Sequence, residues 1–258
     1  MLVLLSPAKT IQCSANEHAP SASQPVFLED AAYLVNKLAK LSAKKLGAMM
    51  HISAELAELN AERYAAWSMP FHPGNARPCI ACFQGEVYRG LDAATLQEPD
   101  LAFAQQHVRI LSGLYGVLRP MDLMQPYRLE MGTKWTITPS KPNLYAYWGD
   151  RIARSLEEEG AKAVVNLASQ EYSKAVQRKV LTCPVIDIEF KDLVRGELKV
   201  VGTYAKLARG QMARFIVKNR VTDPELLKQF TGGGYAFTPA QSSNHTWVFT
   251  RDPHAKST

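Results

Sequence analysis

The stretch from Arg109 to Gly132, RILSGLYGVLRPMDLMQPYRLEMG, gathers groups able to handle an anion: Arg119 and Arg128 alternate there with Asp122 and Glu130. Guanidinium groups beside carboxylates either close on one another as internal ion pairs or line an anion pocket with some arginines already oriented. A second cationic stretch is TYAKLARGQMARFIVKNR, Thr203 to Arg220. A 100° step per residue sets Tyr204, Ala208, Met212, Phe215 and Ile216 on one side and Lys206, Arg209 and Arg220 on the other. Gly210 and Ala213 lie between those cations. Glycine inside a helix costs about 0.5–1 kcal/mol and wants a reason, which is close approach of a phosphate or of another backbone. Lys37, Lys40, Lys44 and Lys45 are read as a solvated face.

Other chemistry is weaker. Cys79-Ile80-Ala81-Cys82 has the spacing of a zinc half-site or a redox dithiol, but Cys13 and Cys183 are isolated, so no second ligand pair exists and both cysteines are read as core residues. The histidines are dispersed, and His51 and Glu55 straddle a helix start; no metal site and no cofactor are expected. Asp187 and Glu189 share a strand face, as strand alternation produces on any solvated side. No G-x-S-x-G, G-x-x-x-x-G-K-[ST] or G-x-G-x-x-G occurs, which removes the best-marked hydrolase, phosphate-loop and dinucleotide readings. The segment Leu111 to Leu118 resembles the apolar-Gly-apolar-x-Gly turn of a helix-hairpin-helix, in which N–H groups around Gly113 and Gly116 meet a DNA phosphate.

The elements that must hold these residues read as follows. Leu2–Leu5 is a short buried strand, and Ser6 to Gln24 an irregular loop. Val26 to Trp67 holds two or three antiparallel helices, with Ser42 and Ser53 as N-caps, Leu34, Leu38 and Leu41 on one face and Leu56, Leu59, Tyr64 and Trp67 on another. Ile80 to Phe83 is a strand, Asp100 to His107 a helix, and Ile110 to Gly132, with Pro120 and Pro126, a fixed loop. A helix over Tyr145 to Glu158, a strand over Ala163 to Leu167, a short helix after Ser169 and a strand pair over Val185 to Val201 follow. Tyr204 to Arg220 is helical, Thr222 and Glu225 form a capping box, Gly232 to Gly234 turn, and Tyr235–Phe237 pairs with Thr246–Phe249. The fold class is therefore α/β, a single mixed domain over residues 1–258.

The 258 residues are 47% hydrophobic and 21% charged, which excludes a disordered, collagen-like or coiled-coil chain. Thirty Lys and Arg against 24 Asp and Glu give a formal charge of +6 and mildly favour anionic partners. Four cysteines are too few for a disulfide scaffold and fit a reduced setting. No apolar run is long enough for a membrane helix, and Leu2 to Leu5 is no secretory signal. A cytoplasmic monomer is expected.

Four blocks taken together carry a family likeness: SPAKT at Ser6 to Thr10, LSGLYGVLRPMDLMQPYRLEMG at Leu111 to Gly132, NLASQEY at Asn166 to Tyr172, and YAKLARGQMARFI at Tyr204 to Ile216. The chain resembles the YaaA family of peroxide stress proteins nearly end to end. That resemblance implies a cytoplasmic bacterial protein that limits oxidative damage by keeping intracellular iron low. It also implies a mixed α/β domain of unusual topology with central strands flanked by helices, a helix-hairpin-helix-like element, a positively charged cleft and affinity for DNA. It assigns no reaction.

Two uses of the motif residues follow. In the first, Lys9, Gly113, Gly116, Arg119, Arg128, Lys206, Arg209 and Arg214 contact DNA phosphates without a sequence code. In the second, Ser6, Lys9, Arg119, Arg128, Asn166 and Glu171, with Asp122 and Ser169 nearby, converge on a small anionic or nucleotide-like substrate. An open groove favours DNA and a closed polar pocket favours the second. A third reading, a scaffold for another stress protein, expects an exposed apolar patch. No cluster of His and carboxylate ligands is present to store iron, so an effect on iron is expected to be indirect.

Overall fold

Leu2–Leu5, Leu-Val-Leu-Leu, is apolar at every position, the pattern of a strand covered on both faces, and all four residues are buried. It is β1, an interior strand of the main sheet. The structure, a computed structural model, describes residues 1–13 and 22–252. In chain order its further elements are β2 (Thr10–Ile11), α1 (Leu28–Leu38), α2 (Ala43–Met50), α3 (Ala54–Ala66), β3 (Arg77–Pro78), α4 (Cys79–Cys82), β4 (Phe83–Gln84), α5 (Glu86–Leu91) and α6 (Glu98–His107). Then come β5 (Val108–Ser112), β6 (Gly116–Leu118), β7 (Leu123–Met124), α7 (Leu144–Trp148), α8 (Arg151–Glu158), β8 (Val164–Asn166) and α9 (Gln170–Ser173). The chain continues through β9 (Val185–Val194), β10 (Glu197–Lys199), α10 (Gly202–Lys218), β11 (Ala236–Phe237) and β12 (Thr246–Arg251).

The main sheet has the order β11-β12-β9-β8-β1-β5-β6, with β10 on the far part of β9. Strands β12, β9, β8, β1 and β5 are parallel, and β11, β10 and β6 are antiparallel additions. From β1 the chain passes through α1 to α6 and returns on one side as β5; it later enters the other side as β8 and moves outward to β9. The direction of strand addition reverses between β1 and β8. In an open parallel sheet the crevice beyond the carboxyl ends of two such strands is where ligands sit.

The mixed α/β expectation is met, and the buried hydrophobic residues form one cluster from Leu2 to Phe249. Ser42 and Ser53 cap α2 and α3, and alternation along β9 buries Ile186, Ile188 and Phe190. Elsewhere local pattern misleads. Leu56 and Leu59 face outward while Ala57, Asn60 and Tyr64 are buried. Cys79–Cys82 is a helical turn, not a strand, because its first two N–H groups donate to the carbonyls of Asp122 and Pro120. Asp223, not Thr222, caps the turn at Pro224–Gln229. The reduced-cysteine expectation is also corrected: Cys13 and Cys82 form a disulfide, while Cys79 is a buried free thiol. Of the Ser6 to Gln24 loop, residues 14–21 lie outside the described residues.

The segment expected to be irregular holds the β5–β6 hairpin, with Ser112 opposite Gly116. Gly116 takes φ +67°, the left-handed conformation that favours glycine, and a Cβ on Gly113 would stand 2.3 Å from the Leu129 carbonyl. Residues 111–118 are all buried, and the Trp148 indole donates to the Gly113 carbonyl at 3.0 Å. No helix-hairpin-helix forms here. No helix among the described residues is long and apolar enough to cross a membrane.

Candidate functional site

Where β1 ends, the chain passes through Ser6 to Lys9; where β8 ends, it passes through Ala168 and Ser169 into α9. The two exits are tied together. Ser6 Oγ accepts the Ser169 N–H at 2.8 Å and donates to Ser169 Oγ at 3.2 Å, and the Tyr88 hydroxyl donates to the Ser6 carbonyl at 2.9 Å. Asn166 supports this from behind: its Oδ1 accepts the Ala168 N–H at 3.0 Å, and its Nδ2 donates to Asp187 at 2.7 Å. Arg178 grips the same Asp187 carboxylate at 2.6 and 2.7 Å. Burial pushes the Asp187 carboxyl up, yet the bonds from Arg178 and Asn166 together bring it below its ordinary value.

Above these exits lies a cavity of about 520 Å³, a size that suits a small-molecule ligand. Its walls are Ser6–Thr10, Gln84–Tyr88, Tyr127–Glu130, Ser169, Glu171, Tyr172 and Lys206. Glu130 binds Lys9 at 2.8 Å and Arg128 at 2.9 Å. Glu171 accepts the Gly132 N–H at 2.8 Å, and Glu86 pairs with Arg89. Three cations and three carboxylates thus line one space. The Arg128 Nε is buried without a hydrogen-bond partner. Burial pushes the phenols of Tyr88, Tyr127 and Tyr172 above their ordinary value, so all three stay neutral. The Tyr88 and Tyr127 hydroxyls are engaged by the Ser6 carbonyl and Ser112, so those residues offer the wall mainly ring surface.

Of the expected residues, Ser6, Lys9, Arg128, Ser169, Glu171 and Lys206 meet in this cavity. The others go elsewhere. Gly113 and Gly116 belong to the buried hairpin, where the Leu114 and Tyr115 N–H groups donate to Ser112 Oγ and are not available to a phosphate. Arg119 is exposed on the turn after β6. Asp122, expected at the pocket, is buried and caps that turn, accepting the Arg119 N–H at 2.8 Å and Ser23 Oγ–H at 2.6 Å. Arg214 holds the carbonyls of Leu91 and Asp92 at the end of α5. Arg209 is largely inside, its Nε buried and unpartnered, and burial lowers its pKa against the pull of Glu189. Gly210 is small for α5, not for a phosphate: a Cβ there would lie 1.9 Å from the Val87 carbonyl.

Sequence reasoning placed Glu130 beside the arginines as an ion-pair partner but not among the pocket residues, and it did not find Glu86, Tyr88, Tyr127 or Tyr172 as wall residues. Glu130, Tyr127 and Tyr172 lie inside the quoted blocks, and their proximity to Arg128 and Glu171 was the available signal. Glu86 and Tyr88 lie in none of the four blocks; they arrive through the β2–β4 pairing, which joins Thr10 to Gln84.

Known proteins bear on this geometry. The family profile described as "Peroxide stress protein YaaA" matches residues 1–241. A UPF0246 protein of Burkholderia cenocepacia is 49% identical, covering 97% of this chain and 98% of its own length. Relatives of the same description from Burkholderia lata and Burkholderia vietnamiensis are 49% and 48% identical over the same shares. The exits of β1 and β8, with the cavity they open on, are therefore features of a chain that belongs to the YaaA family of peroxide stress proteins.

Proposed function

We propose that this protein serves the peroxide stress response by binding, and acting on, a small nucleotide-like molecule in the cavity above β1 and β8. One observation carries the reading: residues from all four sequence blocks, Ser6 and Lys9, Arg128 and Glu130, Ser169 and Glu171, and Lys206, meet in a single cavity. The balance of charge there refines the ligand. A bare polyanion would face three carboxylates, whereas a molecule with a phosphate at one end and hydrogen-bond donors at the other finds a partner for each. Tyrosine rings in the wall suit a planar base.

DNA binding, implied by the family likeness, is the second reading. Its support is the net positive charge and the exposed Lys206 and Arg119. Against it, Lys9 and Arg128 are held by Glu130, Arg214 by carbonyls, and Arg209 is largely buried. An effect on iron would then run through the ligand or DNA. A stoichiometric iron ion held by side chains would overturn that route.

Thermal unfolding with adenosine monophosphate, adenosine or inorganic phosphate tests the first reading. The monophosphate should stabilise the protein by about 2.7 kcal/mol at a hundredfold excess over its Kd, each half alone by much less, and Lys206→Ala should weaken the effect. If none of the three binds, while duplex DNA binds with roughly a 500-fold loss between about 50 and 200 mM salt that Lys206→Glu with Arg209→Glu abolishes, the DNA reading replaces it.

A further inference from the structure

The Cys13–Cys82 disulfide adjoins a short two-stranded ribbon in the cavity wall. Strands β2 and β4 pair only at Thr10 with Gln84 and Ile11 with Phe83, extended by the Gln12 N–H to the Cys82 carbonyl at 2.9 Å. Thr10 and Gln84 line the cavity, as do Lys9 and Gly85 beside them. A ribbon this short is not stable in water by itself. The covalent link, joining residues 69 apart, removes chain freedom that would otherwise open it.

The sulfur atoms differ in access. Cys82 is fully buried, whereas Cys13 is partly exposed. Cys79, at the other end of the same helical turn, is also fully buried and donates its S–H to the Arg119 carbonyl at 3.0 Å. Burial, then the neighbouring Asp122 charge, pushes the Cys79 thiol well up, which keeps it protonated and a poor nucleophile. The arrangement is one reachable sulfur, one buried partner for it, and a third sulfur kept out of the exchange. In compartments where thiols are held reduced, a disulfide of this kind is transient and redox-responsive.

We infer that Cys13 and Cys82 are a reversible dithiol–disulfide couple, oxidised by a hydroperoxide and reduced by a cellular dithiol, that latches the β2–β4 wall of the cavity. In the forward direction the Cys13 thiolate attacks one peroxide oxygen, the O–O bond breaks, and the leaving alkoxide or hydroxide takes up a proton. Cys82, held against Cys13, gives up its proton as its sulfur attacks the Cys13 sulfenic acid; the S–S bond forms, the S–O bond breaks, and the departing hydroxide takes up a proton and leaves as water. Two thiols are oxidised and one peroxide is reduced to an alcohol, or water, plus water. In reverse, one sulfur of the dithiol attacks Cys13 Sγ, Cys82 leaves as the thiolate and is protonated, and the second sulfur of the reductant resolves the mixed disulfide. The couple stands without the ligand reading; only its effect on binding rests on it.

The test uses the full-length protein, first reduced with a dithiol under native conditions and then given an equimolar amount of hydrogen peroxide. Remaining thiols are mapped by alkylation in denaturant and mass spectrometry, and backbone amide exchange is followed on the native protein in both states. The expected result is a Cys13–Cys82 link with Cys79 and Cys183 still alkylatable, and exchange at Thr10–Gln12 and Phe83–Gly85 about tenfold slower in the oxidised form. Cys13→Ser and Cys82→Ala should each remove both changes; Cys13 is the partly exposed position, so its variant keeps the test sound if the buried one fails to fold. Resistance of the disulfide to the dithiol, earlier oxidation of Cys183, or a link that leaves exchange unchanged would each overturn the latch. Adenosine monophosphate binding is measured on both forms: loss in both speaks against the ligand reading alone, while weaker binding in the reduced form joins the two.

Discussion

Glu130 and Asp192 each hold more than one partner, yet they do different things. Asp192 on β9 is fully buried; its Oδ2 accepts the Tyr235 hydroxyl at 2.8 Å and its Oδ1 accepts Arg251 at 2.7 Å. Arg251 is itself fixed, lying over the Tyr204 and Tyr235 rings and donating to the Gly233 carbonyl. That site is closed and satisfied, and it fastens β9 to β12 and to the turn before β11. Glu130 also binds two cations, but Lys9 is 65% exposed and the Arg128 Nε has no partner. An ion site that is sealed acts on stability. One with a reachable cation and an orphan donor is available to a ligand.

The sharpest way to break this contrast is to remove each carboxylate. Asp192→Ala leaves Arg251 and the Tyr235 hydroxyl without their acceptor and should cost about 3–5 kcal/mol in urea unfolding. Glu130→Ala should cost less, about 1–2 kcal/mol, because Lys9 is exposed and regains water, so that only the part-buried Arg128 loses its acceptor. Equal losses would erase the distinction.

Helix α10 carries the same division on one element. Gly210→Ala drives a methyl into the Val87 carbonyl of α5 and should cost about 3 kcal/mol, at the upper end of overpacking effects. Lys206→Ala, on the exposed cavity edge, should stay within about 0.5 kcal/mol in stability while weakening ligand binding. A Gly210→Ala protein of unchanged stability would show that α5 can back away from α10.

How far the sequence carried these distinctions depended on range. β1, the alternation in β9 and the serine caps are local signals and were legible. The Gly113–Gly116 spacing was not decisive, because a nucleic-acid-binding turn and a tight β-hairpin both need glycine there; what selected the hairpin was pairing with β5 and the Trp148 lid. Gly210 was recognised as needing a close neighbour, but the neighbour, α5, comes from more than a hundred residues away. The cavity was half legible, since each of the four blocks supplied a wall residue. Glu86 and Tyr88 were invisible because only the β2–β4 pairing brings them in, and the disulfide was invisible because Cys13 and Cys82 had no local reason to meet.

For binding, Glu130→Gln is the discriminating change. It removes the charge that engages Lys9 and Arg128, and adenosine monophosphate should bind roughly tenfold more tightly, about 1.4 kcal/mol. Weaker binding would instead mean that Glu130 accepts a hydrogen bond from the ligand, a result that keeps the site but reverses the carboxylate's part in it. Unchanged binding, with stability also unchanged, would remove Glu130 from the site and leave its two cations without a function there.

Asp100 stands between the two extremes and gives the smallest effect. Its carboxylate is 6% exposed, but Lys218 at 2.8 Å and Arg220 at 2.9 Å, which hold it, are 42% and 39% exposed. The Lys218 hydrogen bond, followed by the Gln97 N–H, holds the Asp100 carboxyl far below its ordinary value. A carboxylate whose folded pKa is depressed contributes fully above its unfolded value, near about 3.9, and loses that contribution as pH falls through the folded one. The urea midpoint of the wild type should therefore decline as pH drops below about 4, and Asp100→Asn should decline less steeply. Asp150, Glu157 and Asp187 are depressed as well, so the slope should shrink and not vanish. Parallel curves would mean that water already supports both cations, and that Asp100 belongs with the open kind of site, not the sealed one.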